Sequence, residues 1–410
     1  MPTTAFTRRR VAIAALALAT TTAVPSTAHP AHAASGTAAA TAGGATIAGA
    51  ATTLAASPAP AVKVTLPAPT GRYSIGTRAL RLVDSSRRDP LVKARPYREL
   101  MVSLWYPAGP SDRPPAPHMS RMAAADWDRR SAPAMGIKRG SVDWAATTTH
   151  AREGAPVDRK AGALPVVLFS AGDGGPRTLG TVLVEELASR GYLVVTVDHT
   201  YEADQVEFPG GRVERAVPLP SKLTPSVIAK LLGKHAGIRL ADMRFVLGRL
   251  DKIAGLRGVA DLSKIGILGQ SIGGSVAAQL AHDDPRVDAG VNLDGSYVGP
   301  VARTGVRRPF LQFAAQAHTR AGDPTWKSFW NASGGWRREL RLAGAAHGSF
   351  TDLQVMLPQV KDLVGTIDPA RSVAVQRAHI TAFFDLHLKG RATHLFDTPD
   401  RRYPEITLVP

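Results

Sequence analysis

The chain contains no cysteine among its 410 residues. Disulfides, thiol catalysis and cysteine-ligated metals are therefore excluded. There is no H-E-x-x-H pair, no P-loop, no clear dinucleotide fingerprint and no internal repeat, so the motif-borne zinc, nucleotide and repeat classes fall away. Acidic residues are scarce: 33 Asp and Glu face 50 Lys and Arg, for a net charge of +17. Beyond the first residues the basic ones form no block and no nucleic-acid module, which argues against a nucleic-acid partner. A solvated basic surface is the plainer meaning, and it also permits contact with an anionic lipid surface. The one long leading apolar run, 11–19, is too short to span a bilayer.

What is present begins with a leader. Arg8, Arg9 and Arg10 precede that apolar run, and Ala31-His32-Ala33 offers a small-residue cleavage site. The pattern predicts a bacterial export signal over 1–33 and a secreted product, with an uncleaved anchor as the alternative. Thr7 to Val11 is also similar to a twin-arginine signal, so the route of export stays open. Residues 34–65 are mostly Ala, Thr, Gly, Ser and Pro, a composition that cannot bury a core, and they predict a disordered linker.

From 66 to 410 the chain predicts a single catalytic domain. Two antiparallel strands at 71–83 and 99–106 open it. An insertion at 108–162, rich in Pro, Arg and Trp and without a clear period, is expected to pack over the sheet. Strands then alternate with helices. Strands fall at 164–169, 192–198, 265–268, 289–294, 309–314 and 339–343, the last of the series. Helices fall at 178–190, at 226–253 with a break near Gly237, after 274, and at 370–389. Continuous apolar strands between helices imply an α/β fold with a mostly parallel sheet covered on both faces.

The strand at 265–268 runs into Gly269-Gln270-Ser271-Ile272-Gly273-Gly274. Strand, Gly-x-Ser-x-Gly and helix make a nucleophile elbow. The turn forces Ser271 into a strained backbone, which the small neighbours Gly269 and Gly273 permit, and sets its hydroxyl at a helix N-terminus. A nucleophilic serine needs a base, and the base an orienting acid. Of twelve histidines, His347 directly follows the last predicted strand among small residues, Gly344-Ala345-Ala346-His347-Gly348. That is the sheet's carboxyl edge, where such sites form. Asp294 and Asp323 both reach this edge, and position alone does not separate them; a turn or helix-cap role is the plainer meaning for Asp323, which precedes Pro324. The oxyanion donors are expected from the amide of Ile272 and from the glycine-rich turn 170–175, at Asp173 or, failing that, Gly172. Asp198-His199 and Asp283-Asp284 lack further ligands in register and are taken as strand-end and turn groups.

From about 66 to 390 the chain resembles the plasma-type platelet-activating factor acetylhydrolase family and its bacterial secreted relatives. The stretches that carry this are Val166 to Leu179, Glu186 to Tyr192, Gly269 to Gly274, Arg98-Glu99-Leu100 running into Ser103 to Pro107, and His347 with Ser349, Phe350 and Asp352. The resemblance implies an α/β-hydrolase fold, an acid at Asp294, and cofactor- and metal-free hydrolysis of short acyl esters, including sn-2 acyl groups of phospholipids. The substrate is then a small-molecule or lipid ester; the oligomeric state stays open. The family commonly has histidine where Ala171 and Gln270 stand, which loosens the substrate assignment and keeps a lipase or polyester hydrolase as the alternative. A non-catalytic basic surface-binding protein on the same scaffold is the alternative of another class.

Overall fold

A computed structural model describes residues 61–253 and 255–410. The predicted leader and nearly all of the predicted linker lie outside these residues. The linker boundary is corrected at its end: Val62 already pairs with Val142, and Val64 and Leu66 are buried.

Thirteen strands occur among the described residues: β1 Ile75–Asp84, β2 Arg98–Pro107, β3 Pro115–Pro117, β4 Thr148–Glu153, β5 Leu164–Ser170, β6 Leu193–Asp198, β7 Gln205–Phe208, β8 Arg212–Arg215, β9 Ala260–Gln270, β10 Val287–Leu293, β11 Phe310–Ala315, β12 Arg337–Leu342 and β13 Ile406–Val409. Eleven form one sheet in the order β13-β12-β11-β10-β9-β5-β6-β2-β1-β4-β3, while β7 and β8 form a separate hairpin. From β12 to β6 every neighbouring pair is parallel. The β1–β2 hairpin joins β6 antiparallel. Strand β13 pairs antiparallel with β12 and closes the far edge, so the strand at 337–342 is not the last.

The longer helices are α1 Arg121–Ala134, α2 Thr181–Ser189, α3 Pro225–Leu247, α4 Ile272–Asp283, α5 Pro324–Ala332 and α6 Pro369–Lys389. Every residue of β5 and β6 is buried, because both faces of the sheet are covered. One face packs Met243 and Val246 of α3, Val276 of α4 and Trp326 of α5. The other packs Val184 and Leu187 of α2 and Ile380, Phe383 and Phe384 of α6. Proline at the first turn after a side-chain cap starts three of these helices, with Thr224, Asp323 and Asp368 as caps.

Helix α3 runs unbroken through Gly237. A mid-helix glycine only weakens helix propensity, and buried His235, Ile238, Arg239 and Asp242 anchor the helix on either side of it. The insertion is more ordered than its sequence suggested. It supplies β3, α1 and β4, and its Trp127 and Trp144 share an apolar cluster with Val64, Leu66, Leu353 and Leu357. No described helix is long and apolar enough to cross a membrane.

Candidate active site

Five parallel strands deliver the site to one sheet edge. Strand β9 ends at Gln270, and Ser271 takes φ 57° and ψ −128° before α4 begins. That left-handed backbone is costly for serine. It persists because the turn admits nothing larger: a Cβ on Gly273 would stand 2.1 Å from the Ser170 carbonyl oxygen, and one on Gly269 2.0 Å from that of Gly273. The Ser271 amide donates to the Leu293 carbonyl at 2.9 Å, which ties the elbow to the end of β10.

Asp294 follows β10, also with positive φ, 58°. It is 1% exposed. The amide of Ala315 donates to its Oδ1 at 2.7 Å. Its Oδ2 takes Nδ1 of His347 at 2.7 Å. Burial works against the charge on Asp294, yet the hydrogen bonds from His318 and His347 hold its carboxyl well below the usual range. Of the two candidate acids, Asp294 is therefore the one in contact with His347. Nε2 of His347 lies 3.1 Å from the side-chain nitrogen of Gln270. An amide nitrogen donates, so the ring accepts there and carries its proton on Nδ1, toward Asp294. Nε2 thus presents the basic lone pair.

The turn bearing His347 is braced from below. Ser349 Oγ accepts from the Ala346 amide and donates to the Val364 carbonyl. Asp352 takes the amides of Thr181 and Val182 at 2.9 and 3.0 Å, and so holds the histidine turn against the start of α2.

Opposite lies the turn after β5. Gly172 packs on Ser271, with room for no side chain: a Cβ there would stand 3.2 Å from that of Ser271 and 2.2 Å from Gln270 Oε1. Arg239 of α3, fully buried, donates to the carbonyls of Ala171 and Gly172 and to Glu202. In a trans peptide the N–H points opposite to the C=O, so the amides of Gly172 and Asp173 point away from Arg239. Ile272 opens α4, where its amide has no acceptor inside the helix. Gly172 and Asp173 both line the cavity over Ser271.

Three groups near the site escaped the sequence reading. His318, three residues past β11, places Nδ1 3.0 Å from Asp294 Oδ1 and Nε2 2.9 Å from Asp323 Oδ2. Asp323 also caps α5 through Thr325, the turn role foreseen for it. Arg239 is the second. The third is a buried Ser170–His199–Asp242 chain with links of 3.0 Å each; fully enclosed, it is a strut beneath the turn after β5. Asp198, the other half of its dipeptide, pairs with Arg177. Asp173, Glu202 and His235 bring ligand atoms within 4.8 Å of one another. Arg239 already supplies the cation for Glu202, so a divalent ion would add a second positive charge beside it.

The cavity over Ser271 and His347 holds about 790 Å³ and is walled by Trp127 and Met135 of the insertion on one side and by Leu353 and Leu363 on another.

A curated relative from Arthroderma benhamiae, a probable 1-alkyl-2-acetylglycerophosphocholine esterase, is 28% identical over 84% of this chain and 93% of its own length. The platelet-activating factor acetylhydrolase of Cavia porcellus is 23% identical over 55% of this chain and 57% of its own. Among solved structures, a ferulic acid esterase from Streptomyces cinnamoneus superposes with a TM-score of 0.73 at 37% identity, covering 85% of this chain and 99% of that one. The family model for platelet-activating factor acetylhydrolase, isoform II, matches residues 61–207 and 238–397, and the chain belongs to that family.

Proposed function

We propose that the chain hydrolyses carboxylic esters through an acyl-enzyme formed on Ser271. The reading rests on one observation above the others: His347 donates to Asp294 at 2.7 Å beside a serine held at positive φ on a nucleophile elbow. In this mechanism Nε2 of His347 exchanges its contact with Gln270 for the Ser271 hydroxyl and takes its proton as Oγ attacks the ester carbonyl. Asp294 stabilises the imidazolium, and the Ile272 and Asp173 amides stabilise the oxyanion. The imidazolium returns its proton to the leaving alcohol. Water then repeats the sequence on the acyl-enzyme, with His347 again as base.

The substrate class is a short acyl ester, in keeping with the family and with the relatives named as acetylglycerophosphocholine esterase and acetylhydrolase. A bulkier ester is the second reading. It is favoured by a cavity of about 790 Å³, far more than an acetyl group needs, and by the likeness to a ferulic acid esterase. Wild type and Ser271→Ala should be assayed on p-nitrophenyl acetate to palmitate, a short-acyl phosphatidylcholine and methyl ferulate. We expect short-acyl turnover that falls by about 10⁴-fold or more in Ser271→Ala. A preference for ferulate or long chains moves the assignment to the second reading. Activity that survives in Ser271→Ala overturns the mechanism.

A further inference from the structure

We propose that His318 is a positioning residue of this esterase: it joins Asp294 and Asp323 into one chain behind His347, and so sets the acidity range over which His347 can act as base. The inference rests on the triad of Ser271, His347 and Asp294.

The geometry is Asp323–His318–Asp294–His347. Each nitrogen of the His318 ring faces a carboxylate oxygen, at 2.9 and 3.0 Å. A neutral imidazole would aim a lone pair at one of those oxygens, so both nitrogens carry hydrogen and the ring is a cation. Asp294 divides its oxygens accordingly. Oδ1 takes His318 and the Ala315 amide, and Oδ2 is left for His347. The His318 ring is 3% exposed and lies against Trp326, centroids 4.1 Å apart, whose indole in turn donates to the Gly295 carbonyl beside Asp294. Burial opposes a charge on His318, but the two carboxylates outweigh it and raise its pKa to about 9.

The other ionisable groups facing this chain are few. Glu339 on β12 feels His318 but is balanced by Arg320 and Arg341. Tyr297 from the loop after β10 keeps its proton, because burial pushes its phenol up. On the cavity side, Asp173, Asp204 and Asp362 line the wall. Behind a neutral His347 the chain then carries two carboxylates and one cation, a net −1. That charge is cancelled when His347 takes the Ser271 proton. Without the His318 charge the net is −2, His347 holds a proton too readily, and the base form is lost at a higher pH.

The test is the pH profile of kcat/KM on a soluble p-nitrophenyl ester for wild type, His318→Gln and Asp323→Asn. Asparagine keeps the helix cap but removes the charge that holds the second proton on His318. His318→Gln should move the acidic limb upward by about one pH unit with KM little changed, whereas Asp323→Asn, which removes one carboxylate together with the His318 charge and so keeps the net at −1, should leave the limb nearly in place. Nitrogen-detected NMR of wild type should show the His318 ring doubly protonated through pH 7, a readout that stands even if His318→Gln does not fold. A folded His318→Gln with an unmoved limb, or a wild-type His318 ring already neutral below pH 7, overturns the proposal. Ser271→Ala separates the two ideas. If it stays active, the triad fails and this inference with it. If it is inactive while the limb does not move, only this inference fails.

Discussion

At the scale of single residues, the site is a set of strained or sterically boxed positions. Ser271 and Asp294, two of three described non-glycine residues with positive φ, both lie in it. A Cβ on Gly295 would stand 1.9 Å from the Ser271 carbonyl oxygen, so the acid turn and the elbow fix each other. Because Asp294 alone of the candidate acids touches His347, Asp294→Asn should cut kcat by about 10⁴-fold, while Asp323→Asn should keep most plateau activity. Steady-state kinetics on folded protein checks this, and the reverse ranking would show that the acids are misassigned. The sequence offers Ser271 and His347 as candidates because each sits in a tell-tale setting, Gly-x-Ser-x-Gly or a small-residue turn after a strand. His318, in Gln316-Ala317-His318-Thr319, has no such setting. Its distance past β11 matches that of a site residue, but only the pairing of β10 with β11 brings it beside Asp294.

At the scale of elements, legibility followed burial. Strands β5, β6, β10 and β11 stand close to where their apolar runs predicted, since strands buried on both faces leave an unbroken signature. Strand β13 is four residues on an antiparallel edge, and the β7–β8 hairpin carries Arg212, Glu214 and Arg215; neither has a run long enough to read. Helix α1 was hidden because its apolar residues face the insertion's own cluster with Pro133 inside it. Helix α3 shows in sequence only as a helix with a break near Gly237, and nothing there points to Arg239, which holds the turn after β5. The planar fork of arginine serves two carbonyls and Glu202 together, which a lysine ammonium cannot match. Arg239→Lys keeps the positive charge near Glu202 but loosens the turn. It should lower kcat by about 10- to 100-fold, below the full loss of one oxyanion donor, with a smaller change in KM. Equal kcat with a lowered melting temperature would reduce Arg239 to a structural ion pair.

At the scale of the whole molecule, two buried ionic networks beside the candidate site also carry stability. Beneath the turn after β5 Arg98, Asp242 and His199 form one buried group, and beside His347 the His318 ring forms another with its two carboxylates. Their histidines respond to pH with opposite sign. Burial, with the Arg239 charge, lowers His199 from 6.5 to about 4. The unfolded chain therefore binds this proton first as pH falls, and the stability present above pH 6.5 is lost as pH drops through 4. His387, half-buried and also lowered to about 4, adds to the same loss. His318 is raised from 6.5 to about 9, so its stabilisation is complete below pH 6.5 and is lost as pH rises through 9. Lys389, lowered from 10.5 to about 8 by burial, works the other way above pH 8 and softens the alkaline side. The shifts of the two deeply buried histidines, His199 and His318, each correspond to roughly 3 kcal/mol, a large part of a typical folding free energy. The melting temperature should accordingly peak near pH 6.5, fall steeply toward pH 4 and fall more gently toward pH 9. Calorimetry across that range checks the shape. The two limbs are separable because they belong to different networks: His199→Gln should make the acid-side fall shallower, leaving the part due to His387, and keep the alkaline side in place, while Asp323→Asn should soften the alkaline side and leave the acid side in place. A melting temperature independent of pH between 4 and 9 would mean that neither buried histidine holds the charge state its partners dictate.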